Sequence, residues 1–134
     1  MIYLLDTNAW VQFLRNKSAL VIKRIQSHQP SDLRVCAVTA AELYNGCLRS
    51  AKPVENRTKV DKLLWPYICL PFDVAAAEAF ALIRYHLEMQ GTPIGPYDMQ
   101  IAAIARATGC TLVTHNTSEF SRVPGLQLED WELP

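Results

Sequence analysis

The chain has no apolar run approaching the ~18 residues needed to span a bilayer, so no membrane-crossing helix is expected. Its opening, Met1-Ile2-Tyr3-Leu4-Leu5-Asp6, lacks a basic stretch and meets an acid too early for a secretory signal, so a cytoplasmic location is the expectation. The four cysteines (Cys36, Cys47, Cys69 and Cys110) form no Cys-x-x-Cys pair and have no histidine at zinc spacing. That excludes a sequence-local zinc site and leaves free, buried thiols as the expectation. No serine or cysteine stands near a base with an orienting partner, so covalent acyl chemistry is unsupported. Internal repeats, low-complexity tracts and linkers are all missing. Net charge is zero, so the field of the whole molecule selects no polyanion.

What is present describes one globular domain, residues 1–134, with 50% hydrophobic and 19% charged residues. The charge is unevenly spread. Residues 1–62 carry ten Lys/Arg against five Asp/Glu, whereas residues 63–134 carry three against eight. This asymmetry reads either as an unevenly solvated surface or as a basic face formed by Arg49, Lys52, Arg57, Lys59 and Lys62.

Apolar patterning predicts strands near residues 2–5, 33–38, 67–70, 111–114 and 126–128. Helices are predicted after Asp6, from Ser18 to about Gln26, and from Thr39 to about Arg49. Further helices run from Pro53 towards Trp65, from Asp73 to Gly91, and from Tyr97 to Gly109. Alternating strands and helices predict an α/β sandwich around a mostly parallel sheet. Trp10, Phe13, Tyr44 and Trp65, at helical spacings, read as core or partner-groove residues.

Three acids fall at element boundaries in this pattern. Asp6 ends the first strand, Glu42 opens a helix that leaves a strand, and Asp98 opens a helix that returns to one. In a parallel sheet all three belong to the carboxyl edge, where open α/β sheets bind ligands. Singly, each has a structural explanation. Thr39-x-x-Glu42 fits a capping box, Asp6 fits a helix cap, and Asp98 neutralises a helix N-terminus. Together they are costly, since an ionised pair at 4 Å and an effective dielectric near 20 repels by roughly 4 kcal/mol. A divalent cation removes that cost. Helix N-termini would keep the acids ionised, and crowded hard oxygen ligands suit Mg²⁺ or Mn²⁺. Such an ion activates water and offsets charge on a phosphoryl group, so phosphodiester hydrolysis is the natural reaction. His115 beside the site reads as a substrate contact or as a neutral loop histidine, while His28 and His86 read as surface residues.

Leu5-Asp6-Thr7-Asn8, Thr39-x-x-Glu42-Leu43 and Pro93-Ile94-Gly95-Pro96-Tyr97-Asp98 resemble the signature acids of PIN-domain nucleases. The stretch from Gly91 to Trp131, including Leu112-Val113-Thr114-His115-Asn116-Thr117-Ser118-Glu119-Phe120, resembles VapC-type toxins of bacterial toxin–antitoxin pairs. The resemblance implies a PIN-like three-layer α/β sandwich and a metal-dependent endoribonuclease cutting structured RNA, tRNA above all. It also implies 5′-phosphate and 3′-hydroxyl products, inhibition by a cognate antitoxin, and a homodimer. By position it makes Asp6, Glu42 and Asp98 catalytic, with Asp6 and Asp98 the ligands of Mg²⁺ or Mn²⁺. Thr7, Asn8 and Thr114 would orient them. The chain departs from the family at Asn116, where many members carry Asp. Asn116 would coordinate only through its carbonyl oxygen, and Glu119 would restore the missing charge. Arg49 and Lys52 are the expected RNA contacts, and the antitoxin segment is expected near Tyr44, Leu48, Leu63 and Trp65.

Three rival readings follow from the same residues. A receiver domain wants an acidic pair after the first strand and a late lysine, and a dehalogenase-like phosphatase wants Asp-x-Asp where position 8 is Asn. A catalytically silent PIN fold acting as a binding module fits Asn116 and a capping role for Glu42.

Overall fold

The computed structural model describes residues 1–134. Five parallel strands form one sheet in the order β3-β2-β1-β4-β5. They are β1 (Tyr3–Leu5), β2 (Leu33–Cys36), β3 (Ile68–Leu70), β4 (Thr111–Val113) and β5 (Leu128–Glu129). The helices are α1 (Thr7–Leu14), α2 (Ala19–Ser27), α3 (Ala37–Leu48), α4 (Pro53–Leu64), α5 (Val74–Gln90), α6 (Pro96–Thr108) and α7 (Thr117–Phe120). A 3-10 turn at Pro30–Asp32 feeds β2. The α/β sandwich with a parallel sheet is thus as predicted.

Local chemistry sets most boundaries. Asp6, Ser18 and Asp73 each accept a backbone N–H from the residue three positions on, capping α1, α2 and α5. Pro53 and Pro96 occupy first helical positions, where a missing N–H costs nothing. Gly91 and Gly109 close α5 and α6 at φ +68° and +71°, a conformation that glycine enters without strain.

Helices cover both faces of the sheet. α5 and α6 pack on one face, where Ile83, Leu87, Ile101 and Ile104 meet Leu4 and Leu112. On the other face Trp10, Val21 and Ile25 meet Leu5, Leu33 and Val113. Trp131 closes that core from the C-terminal segment, stacked on the His28 ring at 5.1 Å and 9° and edge-on to Tyr3. His28 is therefore half-buried packing rather than a free surface residue.

Other expectations need correction. β2 stops at Cys36, and α3 begins at Ala37 with Cys36 as its cap residue and no side-chain capping bond. Thr39 is therefore already inside the helix and fully buried, and Glu42 lies too far along to cap anything. The capping-box explanation of Glu42 fails. The four-residue helix α7 was not anticipated. Cys69 is exposed because β3 is an edge strand, while Cys36, Cys47 and Cys110 are buried free thiols. No helix is long and apolar enough to cross a membrane.

Candidate metal centre

Strand order reverses between β1 and β4, so the crevice beyond their carboxyl ends is the topological switch point of the sheet. Asp6 follows β1, and Thr114-His115-Asn116 follow β4. The second turn of α3 and the first turn of α6 bring Glu42 and Asp98 to the same place. The predicted acids meet there.

Asp6 is buried and accepts the Ala9 N–H through Oδ1 at 2.9 Å. Burial pushes its pKa up to about 6, against the pull of hydrogen bonds from Thr114 and Ala9, and the nearby Asp98 carboxylate pushes the same way. Burial likewise raises Asp98, helped by the charges of Glu119 and Glu42. Asp98 therefore links the set, its charge coupled to those of Asp6, Glu42 and Glu119. The expectation that helix N-termini would hold these pKa values down is not met, because burial is the largest influence on both acids and raises them.

Two neighbours fix the remaining acids. The Thr7 hydroxyl donates to Glu42 Oε1 at 2.7 Å and lies 3.0 Å from the Thr39 hydroxyl. The Asn116 amide donates to Glu119 Oε2 at 2.9 Å, and the Asn116 backbone N–H donates to the Thr114 hydroxyl at 3.0 Å. Thr7 thus holds Glu42, Thr114 hydrogen-bonds Asp6, and Asn116, expected to offer its carbonyl oxygen, instead donates its amide N–H to Glu119. Asn8 is exposed and makes no side-chain hydrogen bond to the acids.

None of the four carboxylates pairs with a lysine or arginine. Like charges held together without a basic partner fit a bound divalent cation, and an all-oxygen donor set fits Mg²⁺ or Mn²⁺. The spacing is open. The one His/Cys/Asp/Glu trio whose ligand atoms lie mutually within 4.8 Å is His115, Asp130 and Glu132, elsewhere on the same edge. An open set suits Mg²⁺, which binds one or two carboxylates directly and keeps several waters.

That second trio was missed in the sequence. His115 Nδ1–H donates to Asp130 Oδ2 at 2.9 Å, and Glu132 Oε2 stands 3.5 Å away. The Asp130 bond and the Glu132 charge raise the His115 pKa, so the neutral-loop reading is replaced by a paired imidazole. A signal was available. Asp130 follows β5 as Asp6 follows β1, and the same strand-end argument places it at this edge.

Of the basic face, Lys52 and Lys59 pair with Glu55, and Arg57 pairs with Asp61 while its guanidinium lies 3.7 Å over the Tyr44 ring. Arg49 makes no such pair and lines a groove of about 760 Å³ that also touches Glu42. Lys52 does not line that groove. Of the residues expected near the antitoxin segment, Leu48 and Trp65 are exposed, Tyr44 and Leu63 are half-buried, and Leu63 packs against the core that holds Trp10.

Residues 3–126 match the PIN domain family. The tRNA(fMet)-specific endonuclease VapC of Shigella flexneri is 39% identical over 129 residues, covering 96% of this chain and 97% of that protein. Ribonuclease VapC2 of Haemophilus influenzae is 33% identical, with 96% and 97% covered. Among solved structures, a chain of DNA-bound VapBC from Salmonella typhimurium superposes with a TM-score of 0.92 at 34% identity, covering 98% of each chain. FitAcB from Neisseria gonorrhoeae follows with a TM-score of 0.89 at 26% identity, covering 99% of this chain and 100% of that one. With its acids at the switch point of a fold shared over nearly its full length, this chain belongs to the PIN-domain family as a VapC-type member.

Proposed function

We propose that the protein is an endoribonuclease of the toxin–antitoxin class that hydrolyses phosphodiester bonds in structured RNA, with tRNA the first substrate to test. One observation carries the reading: four carboxylates from four segments share the carboxyl edge of the sheet, and no basic side chain neutralises them. The names of the relatives, ribonucleases and tRNA(fMet)-specific endonucleases, support the substrate class. The receiver and phosphatase readings are set aside with the family.

Asp6 and Asp98 are the residues assigned to hold Mg²⁺ or Mn²⁺. Bound there, the ion would acidify a water and offset charge developing on the phosphate. Glu42, held by Thr7, is the carboxylate we assign to accept a proton from the attacking water. Glu119, held by Asn116, keeps a fourth negative charge beside Asp98 although position 116 is neutral. The silent-module alternative loses its main support, because Glu42 does not cap α3.

A partner antitoxin is proposed because similar solved structures are VapBC and FitAB assemblies. End-labelled total tRNA and ribosomal RNA, incubated with partner-free protein and Mn²⁺, Mg²⁺ or EDTA, test the whole reading. Discrete fragments are expected with metal, and none with EDTA or with an Asp6→Ala/Asp98→Ala protein. Intact RNA beside folded wild-type protein would leave the silent module in its place.

A further inference from the structure

The groove beside the acids is built from two helices. Glu42, Asn45, Gly46 and Arg49 recur at spacings that put them on one face of α3, and Tyr97 and Gln100 face them from the first turns of α6. Its volume of about 760 Å³ lies within the range of small-ligand sites, roughly 300–1,000 Å³. Glu42 belongs to both groove and acid cluster, and Tyr97 is the residue before Asp98, so the groove runs directly into the site.

The lining is specific in its chemistry. Tyr97 is 59% exposed although its ring is large and largely apolar. Arg49 has no carboxylate partner, unlike Lys52, Arg57 and Lys59 on the same basic face. Asn45 and Gln100 each carry an amide that both donates and accepts hydrogen bonds. Gly46 leaves the groove open: a Cβ built there meets nothing within 4 Å. An aromatic face, an unpaired guanidinium and two amides match a base, a phosphate and a base edge. Ala37, Val38 and Ala41 complete the lining with small apolar side chains, and against these the guanidinium and the amides are the groups that select a polar, anionic ligand over an apolar protein helix.

Resting on the ribonuclease reading above, we infer that the α3–α6 groove seats one unpaired nucleotide next to the scissile phosphate, its base on Tyr97 and its phosphate on Arg49. RNA would then be selected for a nucleotide that can leave its stack, with Asn45 and Gln100 biasing which base is accepted. The site therefore favours loops and bulges over continuous helix.

Two measurements separate this inference from the reading beneath it. The first is binding of a hairpin RNA with 2-aminopurine in its loop, all proteins carrying Asp98→Asn so that the RNA stays whole. Fluorescence quenching is expected, with affinity lowered about ten- to a hundredfold by Tyr97→Ala and restored by Tyr97→Trp. Gly46→Phe should fill the groove and do the same, while leaving the helical signal in circular dichroism intact. The second is cleavage of tRNA by proteins with Asp98 intact, where the same substitutions should raise KM far more than they lower kcat and leave Mn²⁺ uptake unchanged. Affinity and KM unaffected by Tyr97→Ala and Gly46→Phe would overturn the groove, as would loss of antitoxin binding alone in those variants. Absent cleavage by the wild-type protein would instead strike the ribonuclease reading, and Tyr97-dependent quenching would still stand for the groove.

Discussion

The Thr7 hydroxyl donates to Glu42 Oε1 at 2.7 Å, so the residue directly after the first acid of the site holds the second. The bond joins the start of α1 to α3 and replaces the capping partner that Glu42 does not have. Thr7→Val should lower stability by about 1 kcal/mol, the usual net value of such a bond. Cleavage should fall about tenfold as Glu42 loses its fixed orientation, and Thr7→Ser should restore most of both. Urea unfolding beside initial rates checks this; a Thr7→Val protein with wild-type rate would detach Glu42 from the chemistry.

Asp6 caps α1 and is buried within an acidic set. Asparagine caps a helix as well as aspartate does, so Asp6→Asn should keep the fold while removing a buried charge. Without divalent cation at pH 8, the variant should be more stable than wild type by on the order of 1–3 kcal/mol. Mn²⁺ should raise the melting temperature of wild type and leave the variant unmoved, since only a bound ion stabilises by mass action. Thermal melts with and without Mn²⁺ give the answer.

Stability should fall as pH rises in cation-free protein. Asp6 holds its proton up to about pH 6 in the folded state, against about 3.8 when unfolded, so folding takes up a proton between those values. Its penalty is complete above about pH 6. Asp98, also raised, acts in the same direction. The His115–Asp130 pair contributes most below the ordinary histidine pKa, and its contribution is lost as pH climbs through the raised value. Melting should therefore be higher at pH 5.5 than at pH 8, and saturating Mn²⁺, which binds ionised carboxylates, should narrow the gap. A melting temperature that climbs with pH in EDTA would contradict these assignments.

Asn116 stands where the resemblance leads one to expect Asp, and its amide donates to Glu119. Asn116→Asp would replace that bond with two facing carboxylates. Cation-free protein at pH 8 should lose about 1–2 kcal/mol, recovered on adding Mn²⁺. Differential scanning calorimetry in EDTA and in Mn²⁺ reads both arms.

The layered fold and the meeting of Asp6, Glu42 and Asp98 were legible in the sequence because each depends on local signals. Caps at Asp6, Ser18 and Asp73, prolines at helix starts and glycines at helix ends marked the elements, and strand–helix alternation then fixed which boundaries share an edge. What escaped was longer in range. The start of α3 was misplaced because Thr39-x-x-Glu42 imitates a capping box, whereas Cys36 ends the strand without any side-chain cap. The pKa direction of Asp6 and Asp98 was misjudged because helix dipoles follow from sequence but burial follows from packing. The His115–Asp130 pair needed β5 to lie beside β4, and a two-residue strand leaves little pattern to read.

The most direct test follows Mn²⁺ binding by calorimetry and tRNA cleavage across the same Mn²⁺ concentrations, in wild-type and Asp98→Asn proteins. Cleavage should rise along the binding curve and end with EDTA, and both binding and cleavage should be lost in the folded variant. Cleavage that persists in EDTA, or at the wild-type rate in Asp98→Asn, would show that the acids at the switch point are not the catalytic centre.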